Sequence, residues 1–101
     1  MNNPISGLVG IAYRAGKIVS GYELSLQAIQ KNKGKIVLIA KDASDNTKKT
    51  FFNKSKFYRV PIFEIETKEK LGRAIGKNSR SVLVCTDSGF AKALILRLNK
   101  K

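Results

Sequence analysis

Two runs, Ile36-Val37-Leu38-Ile39-Ala40 and Val82-Leu83-Val84-Cys85, contain no polar side chain. A strand with one face in water alternates apolar and polar residues, so a wholly apolar run fits a strand covered on both faces. Strands expected over Lys35–Ala40 and Ser81–Thr86 therefore call for a sheet with helices above and below it. That is an α/β protein built as a three-layer α/β/α sandwich.

The segments between these runs read as helices alternating with strands. In the first helix Asn3 suits the cap, Pro4 the first helical position and Gly16 the position just past the end. Ile5, Leu8, Ala12 and Ala15 recur at three- and four-residue spacing and predict a core-facing stripe. Gly7 and Gly10 weaken that helix and suggest close approach by another element. An extended Lys17-Ile18-Val19 leads to Ser20, which forms a capping-box pattern with Glu23. The helix it opens has Leu24 and Ala28 on one line, Tyr22, Leu26 and Ile29 on another, and ends near 32–34. Asp42, Ala43, Ser44 and Asp45 supply caps for a third helix reaching about Phe57. Arg59 to Ile65 reads as a strand that Pro61 confines to an edge or a strand start. Thr67 caps a short helix through Ile75, 76–80 form a loop, and Asp87 caps a last helix burying Phe90, Ala91, Leu94, Ile95 and Leu98. Connections are short, without linker or repeat, and residues 1–101 read as a single domain, expected to be a monomer.

Charge restricts the partners. Twenty Lys and Arg stand against seven Asp and Glu, a net charge of +13, and they are spread along the chain rather than gathered in a tail. A folded surface of this kind repels itself unless a polyanion relieves it, and nucleic acid is the first candidate. No apolar run approaches the ~20 residues of a membrane span. The first residues lack the charged and apolar sections of an export signal. Cys85, the one cysteine, sits in an apolar run and reads as a buried inert thiol. A cytoplasmic protein is expected, with no membrane partner and no small-molecule substrate.

Catalytic chemistry finds little support. There is no histidine, the commonest general base. Asp42 and Asp45 flank a helix start, where capping accounts for them better than a metal does. Glu64 and Glu66 share a strand face, with Lys68 and Lys70 close behind to balance them. The stretch Gly72-Arg73-Ala74-Ile75-Gly76-Lys77-Asn78 has one residue too few between its glycines for a phosphate loop, and Asn follows the Lys. Gly10 to Lys17 has one too many. No enzyme activity, cofactor or metal is expected.

What remains is a turn and a loop. In the turn Gly16-Lys17-Ile18-Val19-Ser20-Gly21-Tyr22-Glu23 the helix start offers unpaired backbone N–H groups and the positive end of the helix dipole. There Gly21 permits close backbone approach, Tyr22 can stack on a base, and Glu23 can accept hydrogen bonds from base amino groups. A plain capping box on a surface helix explains the same residues. The polar loop Gly76-Lys77-Asn78-Ser79-Arg80-Ser81 is the second candidate, against an ordinary solvated turn. Lys31 and Lys35 bracket a helix-to-strand turn and can meet phosphates, or merely confer solubility.

Taken together, an ordered set of motifs resembles a known family. Gly16-Lys17-Ile18 precedes Gly21, and Ile36–Ala40 runs into Asp42-Ala43-Ser44-x-Asn46-Thr47. Val60-Pro61, Leu71-Gly72-x-x-x-Gly76-Lys77 and Asp87-x-Gly89-Phe90-Ala91-Lys92 follow. This set is similar to the kink-turn RNA-binding ribosomal proteins of the L7Ae and L30e type, most of all to their bacterial YlxQ-like members. The resemblance spans essentially the whole chain. It implies a four-stranded mixed sheet and RNA binding without catalysis. It implies that Gly21, Tyr22, Glu23, Leu24 and Gln27 meet tandem sheared G·A pairs of a bent RNA, with Lys17, Lys31 and Lys35 on phosphates. Lys77, Asn78, Ser79, Arg80 and Ser81 would contact bulged nucleotides. Here Tyr22-Glu23-Leu24 stands for the Thr-Asn-Glu of archaeal and eukaryotic members, and Gln27 for a lysine. Leu24 accepts no hydrogen bond, so guanine reading falls to Glu23 or changes in character. The expected partner is ribosomal RNA or another kink-turn RNA. The alternative is a protein-interaction module on the same fold that binds an acidic protein.

Overall fold

The computed structural model of the chain describes residues 5–99. Its elements are α1 (Ser6–Arg14), β1 (Ile18–Ser20), α2 (Tyr22–Gln30), β2 (Ile36–Ala40), α3 (Asp45–Tyr58), β3 (Ile62–Ile65), α4 (Lys68–Ala74), β4 (Val82–Cys85) and α5 (Ser88–Leu98). The four strands lie in the order β1-β4-β2-β3. β4 is antiparallel to both β1 and β2, whereas β2 and β3 are parallel, so the sheet is mixed. α2 and α3 pack together, and α1 packs with α4 and α5. These two helix groups form the outer layers of the sandwich.

The two apolar runs occupy the middle of the sheet, and every residue of β2 and β4 is buried. Ile5, Val9, Ile29, Phe51 and Leu94 reach them from the helices. Pro61 stands directly before β3, an edge strand, where its carbonyl accepts from the Val37 N–H at 2.8 Å. Among the described residues no strand flanks the far side of β3, so the N–H that proline lacks is not needed for pairing.

Caps explain where several helices begin. The Ser44 hydroxyl accepts from the Thr47 N–H at 3.2 Å and opens α3. That helix is rich in Asn, Thr and Lys, and buried Phe51 and Ser55 anchor it. Thr67 accepts from Lys70 N–H to start α4, and Asp87 from Phe90 N–H at 2.9 Å to start α5. Asp42 caps no helix of its own segment. Its carboxylate accepts from the Lys68 N–H at 2.8 Å, pinning the entrance of α4 to the end of β2. Glu64 pairs with Lys48 at 2.8 Å and Glu66 with Lys70 at 3.6 Å, so charge balance accounts for both carboxylates.

Some local expectations need correction. Ala15 is exposed, because α1 ends at Arg14 and Gly16 turns the chain away at φ 75°. A β-carbon on Gly10 would stand 2.9 Å from the Ala74 carbonyl, so α4 does approach there, but nothing lies near Gly7. β3 starts at Ile62 rather than Arg59, which takes a left-handed conformation (φ 58°) to end α3. Asn3 and Pro4, expected to cap and open the first helix, lie outside the described residues, and α1 runs from Ser6 with Ile5 as its N-cap. Cys85 is buried as expected, and burial pushes its thiol pKa up.

Candidate nucleic-acid interface

The turn into α2 is shaped by the register of the sheet. Ser20 is paired opposite Leu83, and the Gly21 N–H donates to the Val82 carbonyl at 3.1 Å. Gly21 then adopts φ 93° and ψ 165°, a region open essentially to glycine alone, and becomes the N-cap of α2. Among the described residues no side chain caps this helix. The capping box expected from Ser20 and Glu23 therefore does not form. Ser20 belongs to β1, and its hydroxyl accepts instead from Arg80 Nε at 3.4 Å. The first-turn amides of α2 are left without a side-chain acceptor, at the positive end of the helix dipole.

Around that opening the side chains face outward. Tyr22 is 41% exposed, and its ring meets Phe51 of α3 edge-on with centroids 5.3 Å apart. Leu24 is 55% exposed although it shares a line with buried Ala28, and Ser25, Ala28 and Ile29 take the inward face. Glu23 and Gln27 are exposed as well.

The loop 76–81 lies beside this turn, and it is braced rather than merely solvated. Lys77 N–H donates to Gly72 O and Arg80 N–H to Lys68 O, each at 2.9 Å. The Arg80 guanidinium folds back on its own loop, with Nη1 donating to Asn78 O at 3.3 Å and Ser79 O at 2.9 Å. Because Arg80 also reaches Ser20, one side chain ties the loop to the strand that delivers Gly21. Its Nη2 donates to none of the described residues, so the bracing cation keeps donors for a phosphate. Lys77, Asn78 and Ser79 are exposed, and Ser81 is half-buried, its carbonyl accepting from Ala40 N–H. Of the bracing partners, Ser20 belongs to the candidate turn 16–23, whereas Gly72 lies in neither candidate segment. A glycine inside a helix was the available signal for Gly72.

Lys17 and Lys35 do not join that cluster. Lys17 precedes the Ile18–Cys85 pair, and the Lys35 N–H donates to Cys85 O, so both stand at the opposite end of β4. Four residues along the strand separate them from Gly21, ~13 Å. Lys31 follows the last turn of α2, at the same far end. The two ends are connected by the outward face of α2, where exposed Glu23, Gln27 and Lys31 follow one another at four-residue spacing. From Glu23 to Lys31 the rise is ~12 Å. Glu23, Gln27 and Lys31 thus form a strip along α2, with the open helix start and the braced loop at one end, while the backbone of Lys17 and Lys35 stands level with its other end.

Glu23 is the one acid of this strip, and among the described residues no ion pair engages its cations. Among the described residues the ion pairs join Lys48 to Glu64, Lys70 to Glu66 and Arg73 to Glu69. None involves Lys17, Lys31, Lys35, Lys77 or Arg80. Among the same residues, no three His, Cys, Asp or Glu side chains gather as metal ligands, and no helix is long and apolar enough to cross a membrane.

Residues 4–95 match the ribosomal protein L7Ae/L30e/S12e/Gadd45 family. Over 92 residues the chain is 45% identical to the RNA-binding protein YlxQ of Bacillus subtilis, covering 91% of this chain and 92% of that one. It is 47% identical over 85 residues to the RNA-binding protein YlxQ of Enterococcus faecium, covering 84% and 82%. Its fold superposes on a Bacillus halodurans protein of unknown function with a TM-score of 0.94, at 31% identity over 98% of this chain and 100% of that chain. It also superposes on the 15.5 kD RNA-binding protein of Giardia lamblia with a TM-score of 0.79, at 24% identity over 95% and 88%.

Proposed function

Since the chain belongs to the ribosomal protein L7Ae/L30e/S12e/Gadd45 family, we propose that it is a non-catalytic RNA-binding protein that holds a sharply bent, kink-turn-like structured RNA. Ribosomal RNA or the RNA of another ribonucleoprotein is the partner in this reading. The names of the YlxQ relatives support RNA as the partner class. The observation that carries the reading is the uncapped start of α2 at Gly21, held beside the 76–81 loop through Arg80 and Ser20 on a chain of net charge +13.

The open amides and Glu23 face the base edges of a bent helix, where guanine amino groups can donate to the carboxylate. Arg80, Lys77 and the far lysines then take phosphates on either side. A rigid surface of this kind binds the kinked RNA better than the extended RNA and shifts its population by the difference in affinity. Nothing in the mechanism requires bond making.

A titration of kink-turn RNA at several salt concentrations tests the reading. If about six phosphates are neutralised, log K falls against log salt with a slope of roughly −4 to −5. Lys35→Gln is expected to shallow that slope by about one and to weaken different RNAs alike. A slope near zero overturns the reading. So does a cellular complex that survives ribonuclease intact, since that outcome assigns the surface to an acidic protein.

A further inference from the structure

The outward face of α3 is unlike the rest of the surface. At helical spacing it presents Lys49, Phe52, Asn53, Lys56 and Phe57, all exposed. Phe57 is 77% exposed and Phe52 40%, a large apolar area to leave in water on a helix that otherwise buries Phe51 completely. Phe57 also stands T-shaped against half-buried Tyr58, with ring centroids 4.9 Å apart, so a neighbouring ring supports it. Next to it a hollow of about 430 Å³ is lined by Thr50, Asn53, Lys54 and Phe57.

The same face is cationic. α3 carries Lys48, Lys49, Lys54 and Lys56 against a single acid, Asp45. Lys48 is taken by Glu64, whereas Lys49, Lys54 and Lys56 pair with no carboxylate among the described residues. Exposed rings interleaved with unpaired cations are what unpaired nucleic acid requires. Each base offers a π-face to a ring, and each phosphate a charge to a lysine.

We propose that this face binds unpaired nucleotides leaving the folded RNA, with bases stacked on Phe57 and Phe52 and phosphates along Lys49, Lys54 and Lys56. The inference rests on the RNA-binding reading above and extends it from the paired element to a flanking single strand. α3 lies in the same layer as α2, and the Tyr22–Phe51 ring contact joins the start of α2 to the middle of α3. A strand departing from the α2 interface reaches Phe57 without crossing the sheet.

The chain contains no tryptophan, so Phe57→Trp introduces a single indole at the platform, excited at longer wavelength than the tyrosines. It is titrated with a blunt kink-turn RNA, the same RNA with an unpaired uridine tail, a free uridine oligonucleotide, and polyglutamate. The tailed RNA and the free oligonucleotide are expected to quench the fluorescence, whereas the blunt RNA binds without quenching. In the wild-type background, Phe52→Ala with Phe57→Ala is expected to lower affinity for the tailed RNA by ~10- to 100-fold and leave the blunt RNA unchanged. Unquenched binding of the tailed RNA, or equal loss on both RNAs, overturns the proposal. Quenching by polyglutamate also overturns it and assigns the face to an acidic protein. Quenching by the free oligonucleotide without binding of either folded RNA upholds the α3 platform while the kink-turn reading fails.

Discussion

The carbonyl oxygen of Asn78 occupies the space that a β-carbon on Gly72 would require. Gly72 lies within α4 and Asn78 in the loop that follows, so a helix position without a side chain lets the loop fold back upon the helix. The Lys77 N–H to Gly72 O bond closes the same contact. The loop's place beside Gly21 thus depends on a missing methyl group in a different element.

Gly72→Ala is therefore expected to push residues 77–79 outward. The overpacking should cost ~1–3 kcal/mol in urea unfolding. RNA affinity should fall with it, because Arg80 loses the carbonyls that aim its guanidinium. Unaltered affinity in a destabilised variant would show that the loop stands apart from the interface.

Gly21→Ala tests the other half of the turn by a different physical route. No heavy atom crowds a β-carbon there, so the cost is purely conformational, from φ 93° and ψ 165°. A loss of ~1–3 kcal/mol is expected from that strain. Relaxation toward a commoner backbone geometry would re-aim the first amides of α2, and RNA titration should register it.

Glu23→Ala separates recognition from folding. Since Glu23 closes no capping box, its removal should cost under ~1 kcal/mol of stability, the share due to its favourable place at the helix dipole. Affinity for RNA with tandem G·A pairs is expected to drop by ~1–3 kcal/mol, with little change on a plain duplex. Equal losses on the two RNAs would remove Glu23 from base reading.

Cys85 yields a pH prediction. Burial raises its thiol pKa above the ordinary value of 9.0, so the folded state keeps a proton that the unfolded state releases. Its contribution is complete below that ordinary value and is lost as pH rises toward the folded pKa. The alkaline decline in stability should be shallower in Cys85→Ala than in the parent. Alkylation of the native protein should be slow and should accelerate on unfolding.

The sequence alone determined what depends on neighbours a few residues apart. Unbroken apolar runs placed β2 and β4 at the centre, Thr67 and Asp87 marked the starts of α4 and α5, and Pro61 marked an edge. Burial periodicity and capping act over one or two helical turns, and a single sequence displays them directly. Net charge made nucleic acid the first candidate partner for the same reason, as a sum that needs no coordinates.

The tertiary structure decided how distant segments meet. Ser20 and Glu23 spell a capping box, yet pairing of Ser20 with Leu83 and its bond from Arg80 turned the cap into an open helix start. Lys17 and Lys35 were set at the far end of β4 from Gly21, because strand register places residues that no local pattern relates. Gly72 and Asn78 came together through the fold of a loop, a matter of excluded volume between atoms. Such contacts arise from three-dimensional packing, in which each position answers to residues many places removed along the chain.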